Sequence, residues 1–170
     1  TAADLSTATY DGTPKSITGQ FVVPEGMTMS DDGLHMIVVG GDGVLTVAKS
    51  YTLSSAFDVT TATVDAGSAN LGQTVYDVAV DPTGTIMLVT RDQAAGAEVR
   101  SYDLATAWLA SSATLNDTFS VNAEDTTPTG LYIPPAGTVM FMLGDASDTV
   151  YQYKLAPTGR GWVVGAITLN

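Results

Sequence analysis

The sequence predicts an all-β fold of three repeats of about 51 residues, each a four-stranded antiparallel unit, with an extra strand at the N-terminus. Three observations predict it. Gly33-Leu34-His35-Met36 recurs as Gly84-Thr85-Ile86-Met87 and as Gly137-Thr138-Val139-Met140, so the glycines stand 51 and 53 residues apart. Tyr51-Thr52-Leu53 recurs as Tyr102-Asp103-Leu104 and Tyr153-Lys154-Leu155, at steps of 51. No stretch carries the apolar spacing of a long amphipathic helix, the best short candidate being 101–112. A fixed period of this length marks a repeat architecture.

The elements follow in chain order. Asp4-Leu5-Ser6-Thr7-Ala8-Thr9-Tyr10 matches Asp58-Val59-Thr60-Thr61-Ala62-Thr63-Val64 without a gap, so residues 1–23 carry an extra copy of a fourth strand. Residues 24–74, 75–127 and 128–170 are the three repeats of one domain spanning 1–170. In each, strand one alternates apolar with small or polar residues, as a half-buried strand does: Gly26–Met29, Asp77–Val80, Gly130–Ile133. A turn closed by glycine follows, because glycine accepts positive φ without steric cost. Strand two is the most apolar (36–39, 87–89, 140–143), which predicts burial on both faces. A Gly/Asp loop leads to strand three and its Tyr-x-Leu. Strand four is Thr-rich and β-branched, 59–64 in the first repeat.

Four short strands per unit is the pattern of a propeller blade, which must stack on neighbours to bury its faces. Three repeats fall short of the four to eight blades of closed propellers. The front strand is therefore spare, or it pairs with an existing edge, closes the domain against repeat three, or completes a sheet in a neighbouring subunit. The alternative arrangement is a compact three-fold barrel or prism.

Composition narrows the function. With 6 Lys+Arg against 18 Asp+Glu and a formal net charge of −12, the chain lacks the clustered cations of a nucleic-acid binder, and an anionic membrane surface repels it. No apolar run approaches the ~20 residues of a membrane span. Zero cysteines exclude a disulfide framework and thiolate metal sites.

The candidates for chemistry are few. His35 is the single histidine, so a Ser–His–Asp triad would have to use it. Its place between Leu34 and Met36 is that of an ordinary strand residue. Asp42, Asp92 and Asp145 recur after strand two, with Asp148 and the Asp31-Asp32 pair nearby. Calcium takes several oxygen ligands from one loop, but no stretch matches the twelve-residue calcium loop, and Asp is also a common turn residue. No carboxylate pair stands out in an apolar setting that would raise a pKa for glycoside hydrolysis. Phe57, Trp108 and Trp162 occupy equivalent places after each Tyr-x-Leu. They are possible ligand-binding residues, stacking on sugar faces, or they anchor the core. No catalytic residue, cofactor or metal ligand is assigned.

The run 128–145, Pro-Thr-Gly-Leu-Tyr-Ile-Pro-Pro-Ala-Gly-Thr-Val-Met-Phe-Met-Leu-Gly-Asp, then Val150-Tyr151-Gln152-Tyr153-Lys154-Leu155, resembles the propeller-type repeats of virion proteins from tailed, especially marine, bacteriophages. So does Tyr102-Asp103-Leu104-Ala105-Thr106-Ala107-Trp108 with Asp125-Thr126-Thr127-Pro128. The third repeat matches best; the first departs at Lys49-Ser50-Tyr51 and the second at Val75-Tyr76-Asp77. The resemblance implies a non-enzymatic structural protein of the virion, a head decoration protein or short fibre module. It implies other virion proteins of capsid or tail as partners and a homo-oligomer. The second expectation is a lectin-like module that binds a host surface glycan.

Overall fold

The computed structural model describes residues 8–10, 12, 14–72, 74–92, 96–155, 168 and 169. Within them the chain is all β, with antiparallel sheets and two single-turn 3₁₀ segments. The first sheet holds β1 (Val23–Met29), β2 (His35–Gly41), β3 (Thr46–Leu53), β4 (Ala62–Val64) and β5 (Ala69–Gly72). The second holds β6 (Val75–Val80), β7 (Ile86–Arg91), β8 (Glu98–Leu104) and β9 (Ala113–Ser120). The third holds β10 (Pro128–Tyr132), β11 (Val139–Gly144), β12 (Thr149–Lys154) and β13 (Thr168–Leu169). Each is a meander in which sequential strands pair; β4 and β5 both pair with β3, along the line that the unbroken β9 follows on β8.

The repeated residues act alike in each sheet. Gly33, Gly84 and Gly137 close the turn into the second strand at φ 69°, 73° and 63°, where a Cβ would be strained. Their N–H groups donate to the carbonyls of Ser30, Asp81 and Pro134 at 2.8–2.9 Å. The repeated leucines 53, 104 and 155 donate to the carbonyls of Leu34, Thr85 and Thr138, which ties the end of strand three to that turn. In the second sheet Asp81 adds a side-chain clasp: its Oδ1 accepts the N–H groups of Thr85 and Ile86, both at 2.7 Å.

The two faces of the second sheet go to different neighbours. Ile37, Val39 and Ala48 of the first sheet pack with Val78, Val80, Met87, Val89 and Tyr102 of the second. On the opposite face of the second sheet, Ala79, Ile86, Leu88 and Val99 pack with Leu131, Ile133, Met140, Met142 and Tyr153 of the third. All six residues of β7 are buried. That is what the continuous apolar run predicts when both faces are covered. Full burial of a side chain such as Leu88 contributes on the order of 2 kcal/mol.

Three expectations are corrected or limited here. The fourth strand of the first repeat starts at Ala62, because Val59–Thr61 forms a 3₁₀ turn. Phe57 at φ 59° reverses the chain, and Asp58 Oδ1 then accepts from Thr60 N at 3.0 Å, winding the segment before it can extend. In the third sheet β11 is not buried on both faces: Val139 and Phe141 are half-exposed and Leu143 is exposed. The extra strand expected at 4–10 lies mostly outside the described residues, and the described Ala8, Thr9 and Tyr10 carry no strand. Residues 17–22 instead form a strap over the free face of the first sheet. Gln20 N and Phe21 N both donate to Ile17 O, and this turn places Ile17 and Phe21 on Met36, Val38, Tyr51 and Leu53.

Candidate functional site

The first strand of every sheet carries a β-bulge at the same repeat position: between Pro24 and Gly26, Val75 and Asp77, Pro128 and Gly130. A bulge bends its strand and re-aims the residue beside it. These three strands also lie side by side, with β1 packed on β6 and β6 on β10. The bulges therefore bring Gly26, Asp77 and Gly130 to equivalent places on neighbouring strands. Gly26 is demanded by contact: a Cβ there would lie 2.8 Å from Asp77 Cα and 2.7 Å from Asp77 Oδ1.

Asp77 fills its place with a carboxylate directed at the next sheet. Oδ2 accepts the N–H of Leu131 on β10 at 2.9 Å, and Oδ1 accepts the N–H of Val78 at 2.8 Å. Burial pushes the carboxyl up from the usual aspartate range, and the two backbone donors pull it partly back. The group borders a cleft of about 350 Å³ where the three strands meet. Met27, Val80, Trp108, Leu131 and Tyr132 supply apolar walls, and Asp31 stands at its edge. Chemically this is a slot with one part-buried carboxylate already engaged by main-chain donors, suited to holding sheets together and to accepting an apolar or aromatic guest.

The expected site residues are not gathered there as a set. Trp108 does line the cleft; it is buried, and its backbone sits at φ 59°. Its indole covers Gly84, where a Cβ would come within 2.1–2.8 Å of the ring, and the backbone N–H of Trp108 donates to Gly84 O at 2.8 Å. Phe57 repeats this arrangement over Gly33 with the same φ of 59°, but it is exposed. Trp162 lies outside the described residues. Phe57 and Trp108 thus each lid the turn glycine of their own repeat. His35 stacks on Trp108, ring centroids 6.2 Å apart and planes at 13°, bridging the first two sheets by an aromatic contact rather than in a triad.

The recurring aspartates cap backbone. Asp42 Oδ1 accepts from Val44 N and Leu45 N, and these donors hold its carboxyl below the usual value. Asp32 does the same in its turn, where Ser30 Oγ and Leu34 N lower it. Among the described residues no group of three or more His, Asp or Glu side chains is arranged to hold a metal ion.

Sequence reading missed two polar anchors. Asp77 was discoverable, since it replaces glycine at a position where the other two repeats have Gly26 and Gly130. The other is the buried cluster in which Glu98 Oε1 faces Arg91 Nε at 3.2 Å and Arg100 Nε at 2.6 Å. Arg91 Nη1 donates across to Leu71 O of the first sheet at 3.0 Å. Arg91 meets Glu98 only through the β7–β8 register, whereas Arg100 stands two residues along β8 from Glu98 and shares its face.

No protein-family model matches the chain, and no curated protein matches it. Its fold is similar to solved structures. One is a provisionally assigned 6-phosphogluconolactonase from Bacteroides fragilis, with TM-score 0.62 and 10% identity over 86% of this chain. Another is a protein of unknown function from Desulfotomaculum acetoxidans, with TM-score 0.58 and 16% identity, also over 86% of this chain. The chain spans 37% and 41% of the lengths of those two proteins. The first has a β-propeller-like fold.

Proposed function

We propose that this chain is a non-enzymatic structural protein of a tailed-phage virion, a head decoration protein or short fibre module built as an open arc of three propeller-type blades. The observation that supports it most is the outward face of the third sheet, on which large apolar side chains stand exposed. Large exposed apolar patches mark contact surfaces. A protein whose work is to bury such a face against a particle needs no convergent acid and base. The likeness to a lactonase at 10% identity concerns fold, and activity resides in site residues that fold alone does not supply. The acidic balance, net −12, keeps decorated particles apart.

The test is copurification. The protein should band with intact virions at a fixed copy number per particle, and Leu143→Asp should release it. Absence from purified virions overturns the reading.

A second reading has its own support: Trp108 on a cleft of about 350 Å³ suits stacking on a sugar face, which makes the chain a glycan- or receptor-binding module. Selective hits on a glycan array, lost in Trp108→Phe while the fold is kept, would favour it.

A further inference from the structure

Two aspartates depart from the repeat, and both stand at one cleft. Seven residues before the turn glycine the repeats carry Gly26, Asp77 and Gly130; two residues before it they carry Asp31, Pro82 and Pro135. Asp77 and Asp31 belong to different repeats, yet both line the cleft of about 350 Å³ where β1, β6 and β10 meet. Pro82 and Pro135 line it too, so this turn position faces the same space in every repeat. The cleft is centred on β6, the middle strand of the row, and draws its walls from all three blades rather than from either end of the stack.

Its electrostatics are one-sided. No Lys, Arg or His stands among the described residues that line it, and Asp77 forms no ion pair with any described residue. Carboxylates drawn out of water are ordinarily paired, because desolvation without a partner is costly. Burial pushes the Asp77 carboxyl up, and its two main-chain donors, Leu131 N and Val78 N, leave acceptor sites on both oxygens unused. Met27, Trp108 and Leu131 supply apolar walls against which the carbon body of a guest can lie.

We propose that the cleft binds a small organic ammonium ion, its N–H groups donating to Asp77, its charge balanced by Asp31 at the rim and its carbon body laid on the apolar walls. This names the ligand class for the cleft of the second reading above and rests on that cleft being a binding site; it is independent of the virion reading. The same two charges turn away phosphorylated and carboxylated guests, since no cation of the cleft answers them. The bracket from Asp77 to Leu131 holds two strands together, but it does not call for Asp31 in place of proline at the same cleft.

Titration of the full chain with benzylammonium at neutral pH, followed by NMR against benzyl alcohol and benzoate, tests it. Benzylammonium should bind at least about tenfold more tightly than either control, moving the indole signals of Trp108 and the methyl signal of Met27, and should weaken as salt rises. Asp77→Asn, which keeps an acceptor for Leu131 N, should weaken binding at least about tenfold, and Asp31→Asn about threefold. Asp31 is exposed, so its variant reads the charge effect without touching the β6–β10 bracket. Absence of binding, equal affinity for benzyl alcohol, or binding that both asparagine variants leave unchanged overturns the proposal. Glucosamine and N-acetylglucosamine then separate the two readings of the cleft. N-acetylglucosamine bound as tightly as glucosamine overturns the ammonium ion and leaves the glycan reading standing; benzylammonium bound with no glycan hit does the reverse.

Discussion

The second and third sheets are built from one repeat, yet their equivalent faces meet different surroundings. Leu88 and Phe141 hold the same position in the register, as do Val99 and Val150. The third sheet buries the first member of each pair, and the described chain leaves the second member partly or fully exposed. The lesson is that an apolar strand declares that it will be covered without saying by what. In β7 the cover is the next repeat; the outer side of β11 has no such cover among the described residues.

The sharpest way to break this comparison is to place a carboxylate at paired positions. Val99→Asp buries an unpaired charge between sheets and should cost at least about 4 kcal/mol or prevent folding. Val150→Asp should change monomer stability by less than about 0.5 kcal/mol. Urea unfolding of both variants measures the difference; similar costs would mean that the two faces are equally covered.

Next in size is the joint between the first and second sheets. Glu98→Gln removes the charge facing the buried Arg91, which reaches Leu71 O across that joint, and should cost about 3 kcal/mol. Its effect should be read by hydrogen exchange as well, with amides of β5 and β8 losing protection before those of β11.

Smaller, and comparing the first two repeats, are the lidded glycines. Gly84→Ala drives a methyl into the buried indole of Trp108 at positive φ and should cost about 2 kcal/mol. Gly33→Ala meets Phe57, whose exposed ring can move aside, and should cost about 1 kcal/mol. Thermal melts that rank the two in reverse would contradict the assigned roles of the rings.

The smallest effects are protonic, and they have opposite signs. Asp125 pins the β11–β12 turn: Oδ2 accepts Ser147 N at 2.8 Å and Ser147 Oγ at 2.6 Å, while Oδ1 accepts Thr127 N at 2.6 Å. Burial raises its pKa, but these donors outweigh burial and hold it below 3.8. Its contribution is therefore full above the unfolded value and is lost as pH falls below it. Asp77, raised by burial, favours the folded state more when protonated, so stability falls as pH climbs from 3.8 through its higher folded value. Asp125→Asn should flatten the acid loss, and Asp77→Asn should flatten the decline on the rising side. Stability measured from pH 2 to 7 separates the two.

Much of the sheet layout was legible in the sequence because its signals are local. Positive-φ glycines 33, 84 and 137 mark turns whatever surrounds them, and Tyr-x-Leu marks the strand that returns to each turn. What was not legible depends on partners distant in sequence. Asp77 reads as a strand residue until Leu131 N–H is seen opposite it. Val59–Thr61 reads as strand by composition, and the left-handed Phe57 overrides that preference. Phe57 and Trp108 read as equivalents and are equivalent over their glycines, but one is buried because a neighbouring sheet lies beside it and the other is not. Met140 to Leu143 reads as doubly buried because binary patterning records the need for cover and not its source.

Covalent footprinting of Tyr132 on the free protein and on the assembled particle tests the central claim most directly. The account predicts strong labelling of the free protein, where the ring is exposed, and protection once the protein joins the particle. A Tyr132 ring protected in the free protein, or equally labelled on the assembled particle, would contradict it.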